Sequence, residues 1–197
     1  RGLEIDGARL RELETDIAAV LRARGYEVID ASVYASLESS FAQSVRRRLA
    51  PDQQPDSEQY DWIHTHVRNE LFARYGLQAL MVPIIDAERA KVEDGLVYCS
   101  GGAESLTMVP DGTEYDWKNG SRWTGTAAAI SLRLVALSDL GRPLLSGTAP
   151  CLPLARIDSF GNVEDYAASQ QLADPETKRD SVERAVARLR PPSAPDP

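Results

Sequence analysis

The sequence predicts an α+β domain in which helices pack on a mixed sheet, with an antiparallel meander in the C-terminal half. Three observations lead there. Amphipathic helical stripes fill most of the first 76 residues. A run of alternating residues from Thr126 to Val135 is followed by a turn and a return segment, the pattern of a half-buried hairpin. A last helix with its own start signal follows near the C-terminus. Helices and strands in such an order form one layer of helices on a sheet.

Leu10, Leu13, Ile17, Val20 and Leu21 recur at helical spacing, with Arg9, Arg11, Glu12, Glu14 and Asp16 on the wet side. Gly25 stands where a helix C-terminus favours a left-handed residue. Tyr26–Asp30 is expected as a short strand, because Val28 and Ile29 are β-branched. Ser32 is expected to cap a second helix carrying Val33, Leu37, Phe41, Val45 and Leu49, which Pro51 stops. After a polar loop, Asp56 or Ser57 caps a third helix with Tyr60, Ile63, Val67, Leu71 and Tyr75 on its apolar stripe; Gly76 ends it. Leu80–Ile85 is apolar on both parities, which means a strand covered on both faces. Pro83 lacks an N–H and so belongs at an edge or a bulge.

Residues 93–121 show no period and are rich in glycine. Within them, Asn119-Gly120 is a type I′ turn signal that would fold Tyr115–Lys118 onto Ser121–Thr124. Ser138–Gly141 is a turn, and Arg142–Pro150 returns beside the long strand. Asp174 and Pro175 punctuate the start of the last helix, whose face carries Val182, Ala185, Val186 and Leu189. The expected organisation is one domain over 1–190 and a proline-rich, disordered tail over 191–197.

Charge narrows the function classes. With 22 basic against 30 acidic residues, the chain carries −8, which argues against a nucleic-acid partner. No apolar run approaches the roughly 18 residues of a membrane helix. His64 and His66 are the only histidines. Two apart on one helix, they point in nearly opposite directions and cannot share a metal, so solvated helix surface is the expectation for both. The sequence lacks the spacings of a nucleophile elbow, a phosphate loop or a zinc hydrolase. Asp86, Glu88, Glu93 and Asp94 read as a solvated strand end, and Cys99 has no histidine nearby in sequence to activate it. No catalytic residue, metal or cofactor is expected.

Tyr98, Tyr115, Trp117 and Trp123 crowd into the irregular stretch. Tyr115, Trp117, Arg122 and Trp123 form the expected binding surface, with packing over the sheet as the competing use of the two tryptophans. Cys99 and Cys151 are the sole cysteines. Each borders a loop at an element end, and an even pair suits an oxidising compartment, so a disulfide between them is expected; two separate thiols in a reducing cytosol are the alternative.

The helix leading into GYEVID, the LQALMVPIID strand after a helix ending in glycine, and the AAISLRLVALSDLGRPLLSG hairpin carry a resemblance over residues 10–150. The chain resembles the small domain of periplasmic and outer-membrane lipoproteins, a group that includes the curli-secretion and Pel polysaccharide-export lipoproteins and the N-terminal domain of the Tol-Pal translocation protein. The family's leading apolar strand and lipidated cysteine are not within this sequence. The resemblance implies a non-catalytic, outer-membrane-associated periplasmic component, with a lipid anchor upstream of Arg1. It would act in binding or assembly through an envelope protein partner or self-association. The alternatives are a small-ligand or glycan-binding domain on the same aromatics and, below it, a hydrolase.

Overall fold

The structure is a computed structural model; it describes residues 7–49, 53–93, 96–99, 102–105, 125–150, 152–153, 155–157, 163–165 and 175–190. Helices α1 (Gly7–Ala23), α2 (Ala31–Arg46) and α3 (Ser57–Tyr75) come first. Strands β1 (Leu80–Glu93), β2 (Leu96–Cys99), β3 (Gly102–Ser105), β4 (Gly125–Leu137), β5 (Pro143–Thr148) and β6 (Leu152–Pro153) form one sheet. Strands β7 (Ala155–Ile157) and β8 (Val163–Asp165) pair separately, and α4 (Pro175–Ala187) closes the order. The α+β architecture matches the sequence expectation, and every pairing among the described residues is antiparallel.

The sheet runs β3-β2-β1-β4-β5, with β6 also on β4. Its spine is the β1–β4 ribbon, in register from Leu80↔Leu137 to Val92↔Gly125, about 40 Å at ~3.4 Å per residue. β2 pairs with β1 only at residues 91–93, so Pro83 sits in the stretch of β1 that has β4 on one side and no strand on the other among the described residues. That is the edge position its missing N–H calls for.

One face of the ribbon carries Met81, Ile85, Leu132 and Leu134. These meet Leu13, Ile17, Val20 and Leu21 of α1 and Val182, Ala185 and Val186 of α4 in the main core. Each fully buried aliphatic contributes about 1.5–3 kcal/mol. The surface pairs Arg179–Glu183 and Arg184–Asp180 add only ~0.3–0.5 kcal/mol each, so burial decides where α4 docks. At that contact α4 lies directly on Gly147 of β5; a methyl group there would overlap the α4 backbone at Ala185 and lie 2.8 Å from the Leu189 nitrogen. Lys178 is buried between the helices, 3.2 Å from Glu12 and 3.1 Å from Asp16.

A second core lies between α2 and α3, where Ile63, Val67 and Leu71 meet Val33, Leu37, Phe41 and Val45. From the sheet and its approach it recruits Leu77 and Leu80. Leu80 lies on the opposite face of β1 from Met81, so β1 is covered on both faces at this end.

Several local expectations need correction. Tyr26–Asp30 is not a strand: Val28 enters the main core and its carbonyl accepts from Arg22, but no strand among the described residues pairs with the segment. β-branched residues favour extended backbone, and only a partner makes it a strand. The cap of α2 is Asp30, not Ser32; its carboxylate accepts from the Ser32 N–H at 2.9 Å, which holds the Asp30 carboxyl below its ordinary range through the Ser32 side chain and backbone. α2 ends at Arg46, short of Leu49. The remaining punctuation is as read. Asp56 and Gln59 form a capping box, Gly76 is left-handed (φ 61), and Gly25 (φ 87) completes a Schellman closure of α1. Asp174 and the 191–197 tail lie outside the described residues.

Candidate functional site

The expected binding residues Tyr115, Trp117, Arg122 and Trp123, with the Asn119-Gly120 turn, lie outside the described residues. Of the expected disulfide, Cys99 closes β2, half-buried and disulfide-bonded. Cys151 lies outside the described residues. Register places the Cys99 position beside Ala90, on the sheet face that also carries Ala129 and Ser131. These three small residues are almost completely buried, at 0–2% exposure, and the Ser131 hydroxyl has no hydrogen-bond partner among the described residues.

The acidic residues do not converge on a reactive pair. Asp86 is directly across from Ser131 and is held by Arg133, whose Nε and Nη2 both donate to Oδ2 at 3.1 Å. Glu88 is one pleat further on the same face, Glu93 ends β1, and Asp94 lies outside the described residues. The ion pair is a cross-strand clamp on a half-exposed surface, worth about 1 kcal/mol or less.

The richest described surface is on α2 and α3, and it involves both histidines. The helical spacing puts Ile63 and Val67 in the α2–α3 seam, with His64 on one flank and Trp62 and His66 on the other. On the first flank the Tyr34 hydroxyl and His64 Nδ1 share a hydrogen bond of 2.8 Å, the hydroxyl donating in the tautomer that carries its proton on Nε2, and Glu38 lies 3.7 Å from the same nitrogen. Burial, then the Glu38 carboxylate, raises the Tyr34 hydroxyl above its ordinary pKa. On the second flank His66 stacks on Trp62 with centroids 3.8 Å apart, and Phe41 meets the Trp62 ring edge-on at 6.0 Å. His66 Nδ1 donates to the Trp62 carbonyl at 2.8 Å, which fixes a proton on that nitrogen. Trp62 stays 40% exposed and Tyr60 43%.

The expectation of merely solvated histidines is therefore incomplete: both rings have specific partners on α2 or α3. The available signal was the four-residue spacing of Trp62 and His66, which stacks rings on one helix. The His64–Tyr34 contact needs the relative placement of two helices and has no local signature. The arrangement can present flat, partly polar rings to a large partner. A small void between α1, α4 and the sheet, lined by Leu13, Ile85, Ile130, Leu132 and Ser181, has a volume of about 10 Å³, room for at most one water. No helix among the described residues is long and apolar enough to cross a membrane. No family model, no curated protein and no solved structure matches this chain.

Proposed function

We propose that this chain is a non-catalytic binding or assembly domain of the bacterial cell envelope, working in the periplasm in association with the outer membrane. The observation that carries the reading is the bonded Cys99 in a chain with one other cysteine. A disulfide persists where thiols are not continuously reduced, and Cys151 is the one partner this chain offers. The resemblance to envelope lipoproteins adds the outer membrane and a lipid anchor to that reading. The rings displayed by Trp62, Tyr60 and His66, together with Tyr115, Trp117, Arg122 and Trp123, are the contact residues of the proposal.

The test has two arms. Protein isolated from its host under thiol-blocking conditions is digested without reduction; a linked Cys99–Cys151 peptide is expected, and two alkylated thiols would remove the envelope reading. A photoreactive residue at Trp62 or Trp123 is expected to give a discrete cross-linked species in envelope fractions. A strictly monomeric, uncross-linked protein in those fractions refutes the assembly role.

A further inference from the structure

We infer that the α2–α3 hairpin is a flap that closes over Leu80 and is latched to the sheet by Arg68. The two cores are separate: no residue of α2 or α3 belongs to the cluster that α1, α4 and the sheet share. The boundaries between them are abrupt. Val28 sits in the main core and Val33 in the second, with the α2 cap between them. On the other side Leu80 belongs to the second core and Met81, the next residue, to the first. α2 and α3 are tied to the rest of the chain through Ile29–Asp30 on one side and, on the other, through Gly76–Ala79, a connection that begins with a left-handed glycine and keeps Leu77 in the second core.

Among the described residues a polar contact spans the gap. Arg68 Nε donates to the Asp139 carbonyl at 2.8 Å, in the turn between β4 and β5. The guanidinium lies over Gly141, where a Cβ would be 2.6 Å from Nη1, so a side chain at this position would push the Arg68 head aside. Gly141 also has φ 74, so the turn itself favours glycine. A body with its own core, two short connections and a side-chain latch opens at lower free energy than the core it rests on. Opening leaves the α2–α3 seam intact and uncovers Leu80 on β1.

Hydrogen exchange on the intact, oxidised chain tests this. Amides of α2 and α3 facing the sheet, and those of 138–142, are expected to exchange faster than amides of α1, β4 and α4. Arg68→Ala is expected to accelerate the first group about tenfold, the scale of one hydrogen bond to a charged group, and to leave the second unchanged. Arg68→Lys, which keeps the charge but not the planar donor, is expected to fall between. Equal protection of both groups in the wild type, or acceleration of all elements together by Arg68→Ala, overturns the flap, because the protein then opens as one body.

Discussion

Replacing Gly147 by alanine tests the central packing contact of the fold. The added Cβ would lie 2.8 Å from the Leu189 nitrogen and 2.9 Å from the Arg188 carbonyl carbon, and nearer still to the Ala185 carbonyl oxygen. All three are backbone atoms, so no side chain can swing away. Relief requires the end of α4 to lift by several tenths of an ångström. That movement strains the Ser146–Arg190 bridge, whose two hydrogen bonds are 2.8 and 2.9 Å, and loosens Ala185 and Val186, both buried against the sheet. Overpacking of this kind costs about 1–3 kcal/mol, and weakening the bridge adds up to ~1 kcal/mol. The reduced freedom of the unfolded chain returns about 0.4–1 kcal/mol. The net expectation is a loss of about 2–3 kcal/mol. At ~2–4 °C per kcal/mol for a chain of this size, thermal unfolding followed by circular dichroism should shift down by about 4–12 °C. Gly25→Ala is the control. Its Cβ meets nothing within 4 Å, so only the left-handed backbone (φ 87) is strained, at about 1 kcal/mol. A Gly147→Ala variant as stable as the wild type, or more stable than Gly25→Ala, refutes the close α4–β5 approach.

Lys178→Ala should lower stability by about 1–2 kcal/mol in urea denaturation, since Glu12 and Asp16 are partly exposed and screened, while Lys178→Met, which keeps the buried stem, should lose less than half as much. Burial opposes the charge on Lys178, but hydrogen bonds to Asp16 and Glu12 outweigh it and raise its pKa, so its contribution is present below the ordinary 10.5 and fades as pH climbs past it. Lys178 and then Arg9 lower Glu12, so that contribution is present above the ordinary 4.5 and fades on acidification; a pH–stability profile without loss at both ends, or unchanged in Lys178→Met, contradicts the assignment. Reducing the proposed Cys99–Cys151 bond, which closes a loop of about 50 residues, should remove about 4 kcal/mol in the chain-entropy model, and an unchanged melting temperature with reductant counts against the pairing. A Trp117→Ala, Trp123→Ala double variant is expected to keep its melting temperature and lose a partner cross-link; a large thermal loss would place the two rings in a core instead.

The amino-acid sequence by itself determined where the helices lie and which faces they bury, because those signals are local. Leu13–Leu21, Ile63–Leu71 and Val182–Val186 repeat at 3.6 residues, and Asp56, Gly25 and Gly76 terminate helices through bonds within one turn. The hairpin across Ser138–Gly141 was legible for the same reason. What tertiary structure decided is pairing. Nothing local says that β1 lies beside β4, with some thirty residues between them, or that Tyr26–Asp30, extended and carrying the β-branched Val28 and Ile29, finds no ladder among the described residues. The strands of two to four residues at 96–105 and 152–165 are too short to show a period. The candidate surface divides in the same way: the Trp62–His66 stack is a four-residue relation on one helix, whereas Tyr34 reaches His64 only after α2 folds back on α3. Gly147 shows the limit most plainly. In sequence it is a glycine inside a strand pattern, a weak spot by propensity, and only the descent of α4 onto β5 makes the missing side chain a requirement.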